Sequence, residues 1–367
     1  MADKIRVGVL FGGQSGEHEV SLVSARAVID GLDREKYDVV PIGITKEGRW
    51  LAGPDPLGAL VAMADRAKLP SSMSVEPESK SAALAIAESA YGAREPITLL
   101  RSEQAVDVVF PVLHGPMGED GTVQGLLELA QVPYVGCGVL ASAVGMDKAM
   151  MKAAFAAAGL PLLPWLLLRR VDVERDMGAA VAQVEGALRY PVFVKPANMG
   201  SSVGITKAAD RESLERGLAE ACRYDRRIVV EQGIPAREIE VSVLGNDEPE
   251  ASVPGEVVPA NEWYDYEAKY LSDASQILIP APIAPELAAQ VRELAVRAFM
   301  AVDGAGLARV DFLLDRESGA LYLNEVNTMP GFTPVSMYAK MWEASGLSYP
   351  ALLDKLITLA LERHRAR

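Results

Sequence analysis

Two acids and an amide near the carboxyl end of the chain have the types and spacing to hold a hard cation. Asp311 follows Arg309 by two residues inside an apolar run, and Glu325 and Asn327 end a second apolar run. Between the runs lies Asp315-Arg316-Glu317-Ser318-Gly319, whose small polar residues and glycine favour a turn between antiparallel strands. A hairpin folded about Ser318 sets Asp311 opposite Glu325, and the two-residue repeat of a strand turns Asn327 to the same side. Carboxylates plus an amide carbonyl suit Mg2+, which keeps waters and completes its shell with phosphate oxygens. A lone motif of this kind is more often a solvated hairpin. Here the acids interrupt apolar strands and Arg309 stands beside the first, which favours a metal site.

A second cluster has the makings of a phosphate cradle. Lys195 ends the run Pro191-Val192-Phe193-Val194, and Ala197-Asn198-Met199-Gly200-Ser201-Ser202-Val203-Gly204 follows it after Pro196. Backbone N–H groups exposed by glycine and serine can surround phosphate oxygens while the lysine supplies a point charge. The segment is no Walker loop, because it runs from strand to strand instead of opening a helix. Gly12-Gly13-Gln14-Ser15-Gly16 lacks the dinucleotide spacing, and no acid is placed for a ribose after the second strand. Glu17 follows it at the positive end of a helix, as a first-turn acid or as the holder of a substrate ammonium. His114 opens a loop with three glycines at the carboxyl end of a buried strand, where α/β proteins place ligands. Lys148, in Met146-Asp147-Lys148, reads by itself as a solvated helix residue. Tyr264-Asp265-Tyr266-Glu267-Ala268-Lys269-Tyr270 reads as a lid or binding loop.

The elements that would position these groups follow an α/β order. Strand 5–11, helix 17–31 and strand 38–45 open a parallel sheet, resumed by strand 106–112, helix 122–130 and strand 132–135. Residues 51–96 read as an insertion with a helical patch at 82–90. A second unit starts near residue 141: one helix to 158, strand 165–168, helix 173–188, strands 192–195 and 203–206, and helix 212–222. A third starts near 228, with strands 228–231, 238–244 and 256–258, helix 285–302, the acidic hairpin and C-terminal helices. The expected domains are thus 1–140, 141–227 and 228–367, α/β in class and α+β in the last part.

Size and composition bound the function. The 367 residues allow two or three domains with sizeable cores, and half the residues are hydrophobic. Two cysteines, Cys137 and Cys222, form no C-x-x-C pair, which fits buried thiols in a reducing cytoplasm. The opening residues read as a first strand instead of a signal peptide, and no run is long enough to span a membrane. A net charge of −14 disfavours nucleic acid as a partner, so any phosphate site must rest on local cations.

Taken together, the motifs resemble the D-alanine–D-alanine ligase family of the ATP-grasp superfamily. Two long signatures carry the resemblance: residues 114–125 (HGPMGEDGTVQG), and Arg309-Val310-Asp311 with residues 325–331. Shorter pieces at 12–21, 146–148, 194–204, 237–246 and 264–273 support it in the family's order. The resemblance implies an ATP-grasp fold preceded by a parallel α/β domain, with ATP held between the second and third units. Lys148, Lys195, Ser202, Lys269 and Asn324 would serve the nucleotide, Glu231, Gln232 and Ile234 would meet adenine, and Glu238 the ribose. Asp311, Glu325 and Asn327 match ligands of two Mg2+ ions, with Mn2+ as a substitute. Glu17, His114, Ser201, Tyr264 and Tyr270 match residues around the first amino acid, and Arg309, Gly331, Ser336 and Met337 the oxyanion and second amino acid. The implied activity is ATP-dependent joining of two D-alanines through a D-alanyl phosphate, for peptidoglycan precursors, by a cytoplasmic homodimer. A sister ligase forming D-alanyl-D-lactate or another dipeptide, and a nucleotide-binding module without turnover, are the competing readings.

Overall fold

A computed structural model describes residues 4–53, 55–64, 69, 73, 106–200, 203–258 and 276–366. The apolar run near the amino end forms β1 (Ile5–Gly12), parallel to β2 (Tyr37–Ile44) on one side and β4 (Val108–Val112) on the other. Flanked by strands and covered by helices, β1 is buried on both faces, which is why it reads as continuous apolar sequence rather than an alternation. Helix His18–Gly31 makes the crossover to β2. Residues 51–96 are less irregular at their start than expected. β3 (Trp50–Ala52) adds an antiparallel edge to β2, and helix Pro56–Met63 follows, with Asp55 Oδ1 accepting from Gly58 N at 2.9 Å as its cap. The helical patch at 82–90 lies outside the described residues. The strand expected at 132–135 is reduced to one bridge between Val109 and Tyr134.

Two helices that read as single are each broken by an aspartate. Asp147 accepts from Ala149 N and Met150 N at 3.1 and 3.0 Å, so the run over 141–158 becomes Val139–Met146 and Lys148–Ala157. Asp176 likewise caps Met177–Ala187 after the short helix Arg170–Arg175. An aspartate side chain that satisfies orphan N–H groups starts a new helix where propensity alone would continue the old one.

The second sheet has the order β5 (Trp165–Arg169), β8 (Arg227–Gln232), β6 (Val192–Pro196), β7 (Thr206–Ala208). Ile228, where the third unit was expected to open, therefore lies in a strand hydrogen-bonded to β5 and β6 of the second sheet. The strand expected at 203–206 begins later, at Thr206, because Gly204 takes φ +71° against the ring of Tyr224. The third sheet holds β9 (Ala236–Gly245), β10 (Glu250–Ala251), β11 (Gly255–Val258), β12 (Gln276–Leu278), β13 (Gly306–Asp315) and β14 (Leu321–Asn327). β13 is paired with β9 on one side and β14 on the other.

Packing ties the ends of the chain together. The C-terminal helix Tyr349–Arg365 returns to the first sheet, where Leu352, Leu356 and Ala360 share a core with Val7, Val9 and Phe110. Phe332 sits at its centre, with ring centroids 5.5 Å from Phe110, 5.6 Å from Tyr338 and 5.9 Å from Tyr349. The second sheet has its own core of Leu168, Val181, Val194, Leu214 and Val230. Helix Lys148–Ala157 spans the seam: Met151 and Phe155 join the core of the third sheet, and Ala149 packs with Ala197 and Val229 of the second.

Candidate active site

Residues in register across β9, β13 and β14 share one face, which gathers the charged groups of the third sheet. One rung is Glu240, Asp311 and Glu325, and the neighbouring same-face rung is Ser242, Arg309 and Asn327. Asp311 thus stands opposite Glu325 as the hairpin geometry predicts. Asn324 is the extra residue of a bulge, since Asp311 pairs with Glu325 but Phe312 pairs with Leu323. Arg309 Nε and Nη2 donate to Asp311 Oδ1 and Oδ2, each at 2.7 Å, and Nε lies 3.1 Å from Glu240 Oε2. Burial opposes the guanidinium charge, but the carboxylates of Asp311 and Glu240 outweigh it and raise the pKa well above its ordinary value. Asn327 Oδ1 accepts from Met329 N at 3.1 Å where the chain leaves the sheet. Beyond it, a methyl group on Gly331 would come within 3.3 Å of Ser336 Oγ, which itself accepts from Thr333 N at 3.1 Å. Met337 packs its side chain with Val257 and Met341.

Two loops of the first unit face this row. Ser15 Oγ accepts from Glu17 N at 3.1 Å and donates to His114 O at 2.7 Å, joining the GGQSG loop to the loop after β4. Glu17 is buried, with Oε2 wedged between glycines: a methyl would fall 2.8 Å from it at Gly115 and 3.2 Å at Gly200. His114 Nδ1 lies 3.0 Å from the Met329 carbonyl, which can only accept, so that nitrogen carries the proton. Nε2 then accepts from Ser24 Oγ at 3.2 Å, and Phe332 N donates to the same hydroxyl at 3.4 Å. Burial lowers the His114 pKa despite the nearby Glu17 charge, so the ring is a neutral bolt between the first unit and the 329–332 segment. Glu119 Oε1 accepts from Gly115 N at 2.8 Å. Burial, then the charges of Glu17 and Glu325, push its carboxyl well above the usual range against the pull of Gly115 N–H and Arg309. Glu17, Glu119, Glu325 and Arg309 therefore converge on one space from two units.

The second sheet and the helix at its seam with the third supply the cations. Lys148 Nζ donates to Met199 O at 2.6 Å, and its backbone N–H to Ala197 O at 2.8 Å. Lys195 Nζ lies 2.6 Å from Glu231 Oε2, while Lys152 Nζ donates to Oε1 of the same carboxylate. Burial would depress the Lys195 charge, but Glu231 outweighs it, and Glu325 and Glu238 of the third sheet reinforce it. The Gln232 amide is taken up by the chain, donating to Arg189 O at 2.8 Å and accepting from Arg189 N at 2.9 Å. Half-buried Ile234 lies in the connection between β8 and β9, and Glu238 sits on β9 opposite Leu313. Ser201, Ser202, Tyr264, Lys269 and Tyr270 lie outside the described residues. Glu119, Lys152 and Glu240 escaped the sequence reading.

The donor set suits a divalent cation by type, with carboxylates of Asp311 and Glu325 in one rung and the Asn327 amide in the next. Their present contacts are internal: Asp311 turns both oxygens to Arg309 and Asn327 closes a turn. Among the described residues no three His, Cys, Asp or Glu form a ready-made cage, so a cation would need Asp311 to exchange partners or phosphate oxygens to complete the shell.

Residues 6–137 match the family described as D-ala D-ala ligase N-terminus and residues 154–358 that described as D-ala D-ala ligase C-terminus. The chain belongs to the D-alanine–D-alanine ligase family. A relative from Heliobacterium modesticaldum named D-alanine--D-alanine ligase is 52% identical over 364 residues, covering 99% of this chain and 96% of its own. The structure of the D-alanine-D-alanine ligase from Coxiella burnetii is similar with a TM-score of 0.80 at 35% identity, covering 100% of this chain and 96% of that one. VanG D-Ala:D-Ser ligase from Enterococcus faecalis is similar at 0.80 and 35%, covering 98% of this chain and 100% of that one. Membership makes the chain an enzyme with the ATP-grasp fold, an ATP-dependent ligase, and sets aside the reading of a binding module without turnover.

Proposed function

We propose that the chain joins two D-alanines, with ATP consumed, through a D-alanyl phosphate. The supporting observation is that Glu325 and Glu238 of the third sheet help to raise the pKa of Lys195 on the second, so a lysine paired with Glu231 and carboxylates of the metal row lie within electrostatic reach of one another. Such a pairing of charges suits a triphosphate held by lysines of one sheet and by metal-bound carboxylates of the other. Glu325, Asn327 and Asp311 would hold the divalent ions, two Mg2+ with Mn2+ as a substitute. When bound, the metal supplies positive charge to phosphate oxygens during transfer.

A carboxylate is a poor electrophile because its charge is delocalised, so one of its oxygens must first bond to the γ-phosphorus as ADP leaves. Lys148 and Lys195 would hold the phosphates, with Ser202 and Lys269 contributing from segments outside the described residues. Glu17, with Ser201, Tyr264, Tyr270 and His114 around it, would hold the ammonium of the first D-alanine. The second D-alanine must lose a proton and attack the acyl carbon as a neutral amine, expelling phosphate. Arg309 and the Gly331 N–H would stabilise the oxyanion, a contribution of roughly 3 to 4 kcal/mol per donor, beside Ser336 and Met337. Adenine would meet the 231–234 connection and Glu238 the ribose, with Asn324 beside the phosphates.

Phosphate release from ATP measures this directly, with D-alanine, L-alanine, D-alanine plus D-serine, or D-alanine plus D-lactate, each with and without Mg2+. Release with D-alanine alone, dependent on Mg2+, is expected. Release with L-alanine alone, or a strict need for D-serine or D-lactate, would replace the substrate assignment. The family's homodimer and a cytoplasmic location are inferred with it, and no described helix is long and apolar enough to cross a membrane. Light scattering on the purified chain tests the dimer.

A further inference from the structure

Lys152 is 1% exposed, and no role proposed above uses it. It lies one helical turn after Lys148 on the helix that spans the seam between the second and third sheets. Its ammonium donates to Glu231 Oε1, while Lys195 holds Oε2 at 2.6 Å. Burial lowers the Lys152 pKa while the Glu231 charge opposes that shift, and with both lysines protonated the three side chains carry two positive charges and one negative. The two lysines differ in access: the Lys195 side chain is 13% exposed and that of Lys152 only 2%. Lys195 is thus partly open to solvent, whereas Lys152 is enclosed with Glu231.

We propose that Lys152 is a positioning residue for nucleotide binding, holding Glu231 neutralised so that Lys195 can leave that carboxylate and meet a phosphate. The inference rests on the reading of this region as the ATP site. Without Lys152 the remaining pair is neutral, and Lys195 has no net charge to offer a polyanion. Its departure would also leave a bare carboxylate buried beside the phosphates, which is costly. With Lys152 present the cluster keeps one positive charge and Glu231 never stands alone. The strength of this clamp agrees with the state of Glu231: burial would raise its carboxyl, yet the ammonium groups of Lys195 and Lys152 hold it down at about 2.

The test is a double-mutant cycle on Lys152→Met and Glu231→Gln, with Lys152→Arg as the variant that keeps the charge. Calorimetric titration with a non-hydrolysable ATP analogue and with adenosine is combined with KM for ATP, kcat and thermal unfolding. Lys152→Met is expected to weaken the analogue and raise KM for ATP about tenfold or more, about 1.4 kcal/mol, with kcat and adenosine affinity changed little. Lys152→Arg should recover most of the loss. In the Glu231→Gln background the same substitution should cost little, because a neutral amide no longer claims Lys195. Equal losses in both backgrounds, equal losses for adenosine and the analogue, or no loss at all would each overturn the proposal. If Lys152→Met fails to fold, Glu231→Gln and Lys152→Met/Glu231→Gln decide it: a tenfold analogue-specific loss between the two, or weaker analogue binding by Glu231→Gln than by the parent, would overturn the proposal, and a small loss together with analogue binding by Glu231→Gln at least as tight as that of the parent would support it. A folded parent that binds neither ligand would instead remove the ATP reading itself.

Discussion

Arg309 grips both carboxylate oxygens of Asp311, its neighbour two residues along the same strand, at 2.7 Å each, while reaching Glu240 on the adjacent strand at 3.1 Å. One guanidinium therefore balances two acids of the row, and its fork geometry is what allows this. Arg309→Lys keeps the charge but cannot match both oxygens, so phosphate release should fall by about 100-fold or more. Arg309→Met leaves Asp311 and Glu240 without compensation and should lower the free energy of unfolding by about 3 to 5 kcal/mol. Urea unfolding and the release assay read the two effects separately. A fully active lysine variant would take the oxyanion role away from Arg309.

Glu325 stands opposite Asp311 and helps to hold the charge on Lys195 of the second sheet. Glu325→Gln removes one charge with almost no change in shape. Turnover should largely disappear and the Mg2+ requirement should rise, while thermal unfolding stays near that of the parent. Activity within about threefold of the parent, far less than the loss of a charge-stabilising contact costs, would end the metal assignment.

The acidic hairpin was legible because its information is local: two apolar runs and one turn fix which residues oppose each other. The helix break at Asp147 was not, since an alanine-rich stretch continues helical by propensity and only the capping contact ends it. The pairing of strand Arg227–Gln232 with β5 and β6 was not legible either, because those partners lie tens of residues away. Glu240 and Lys152 escaped for the same reason. Each looks ordinary in its own element, an acid in an alternating strand and a lysine on a helix, and gains meaning only from Arg309 or Glu231 brought up by tertiary packing. A motif in the stretch 114–125 did contain Glu119, but nothing local distinguished its carboxyl from that of Asp120.

His114 provides a stability signature near neutral pH. Its folded pKa is lowered from 6.5, mainly by burial, and that of His18 shifts the same way. As pH falls below 6.5 the unfolded chain takes up protons first, so this contribution is complete above 6.5 and is lost as pH drops through the lowered folded value. Unfolding free energy should therefore decline toward mild acid with a slope of up to about 1.4 kcal/mol per pH unit for each such group. His114→Asn cannot titrate and should show a shallower slope between about pH 6.5 and pH 5, although it is less stable at neutral pH for want of the Met329 and Ser24 contacts. Parallel pH profiles for parent and variant would mean that the ring does not titrate between the two states.

Gly200 offers a way to disturb Glu17 without touching it. A methyl at this position would lie 3.2 Å from Glu17 Oε2, and Gly200 has no left-handed backbone that alanine would strain. The same change at Gly115 would combine a closer approach of 2.8 Å with φ +78°, so it would mix local displacement with backbone cost. Gly200→Ala should therefore move the Glu17 carboxylate by a few tenths of an ångström and do little else. If that carboxylate holds the ammonium of the first D-alanine, KM for D-alanine should rise roughly three- to tenfold, since small misplacements of a positioning group weaken the productive geometry. KM for ATP and the unfolding midpoint should stay close to those of the parent. A rise confined to KM for ATP would place the effect on the loop proposed to hold phosphate, to which Gly200 belongs, and would separate Glu17 from substrate recognition.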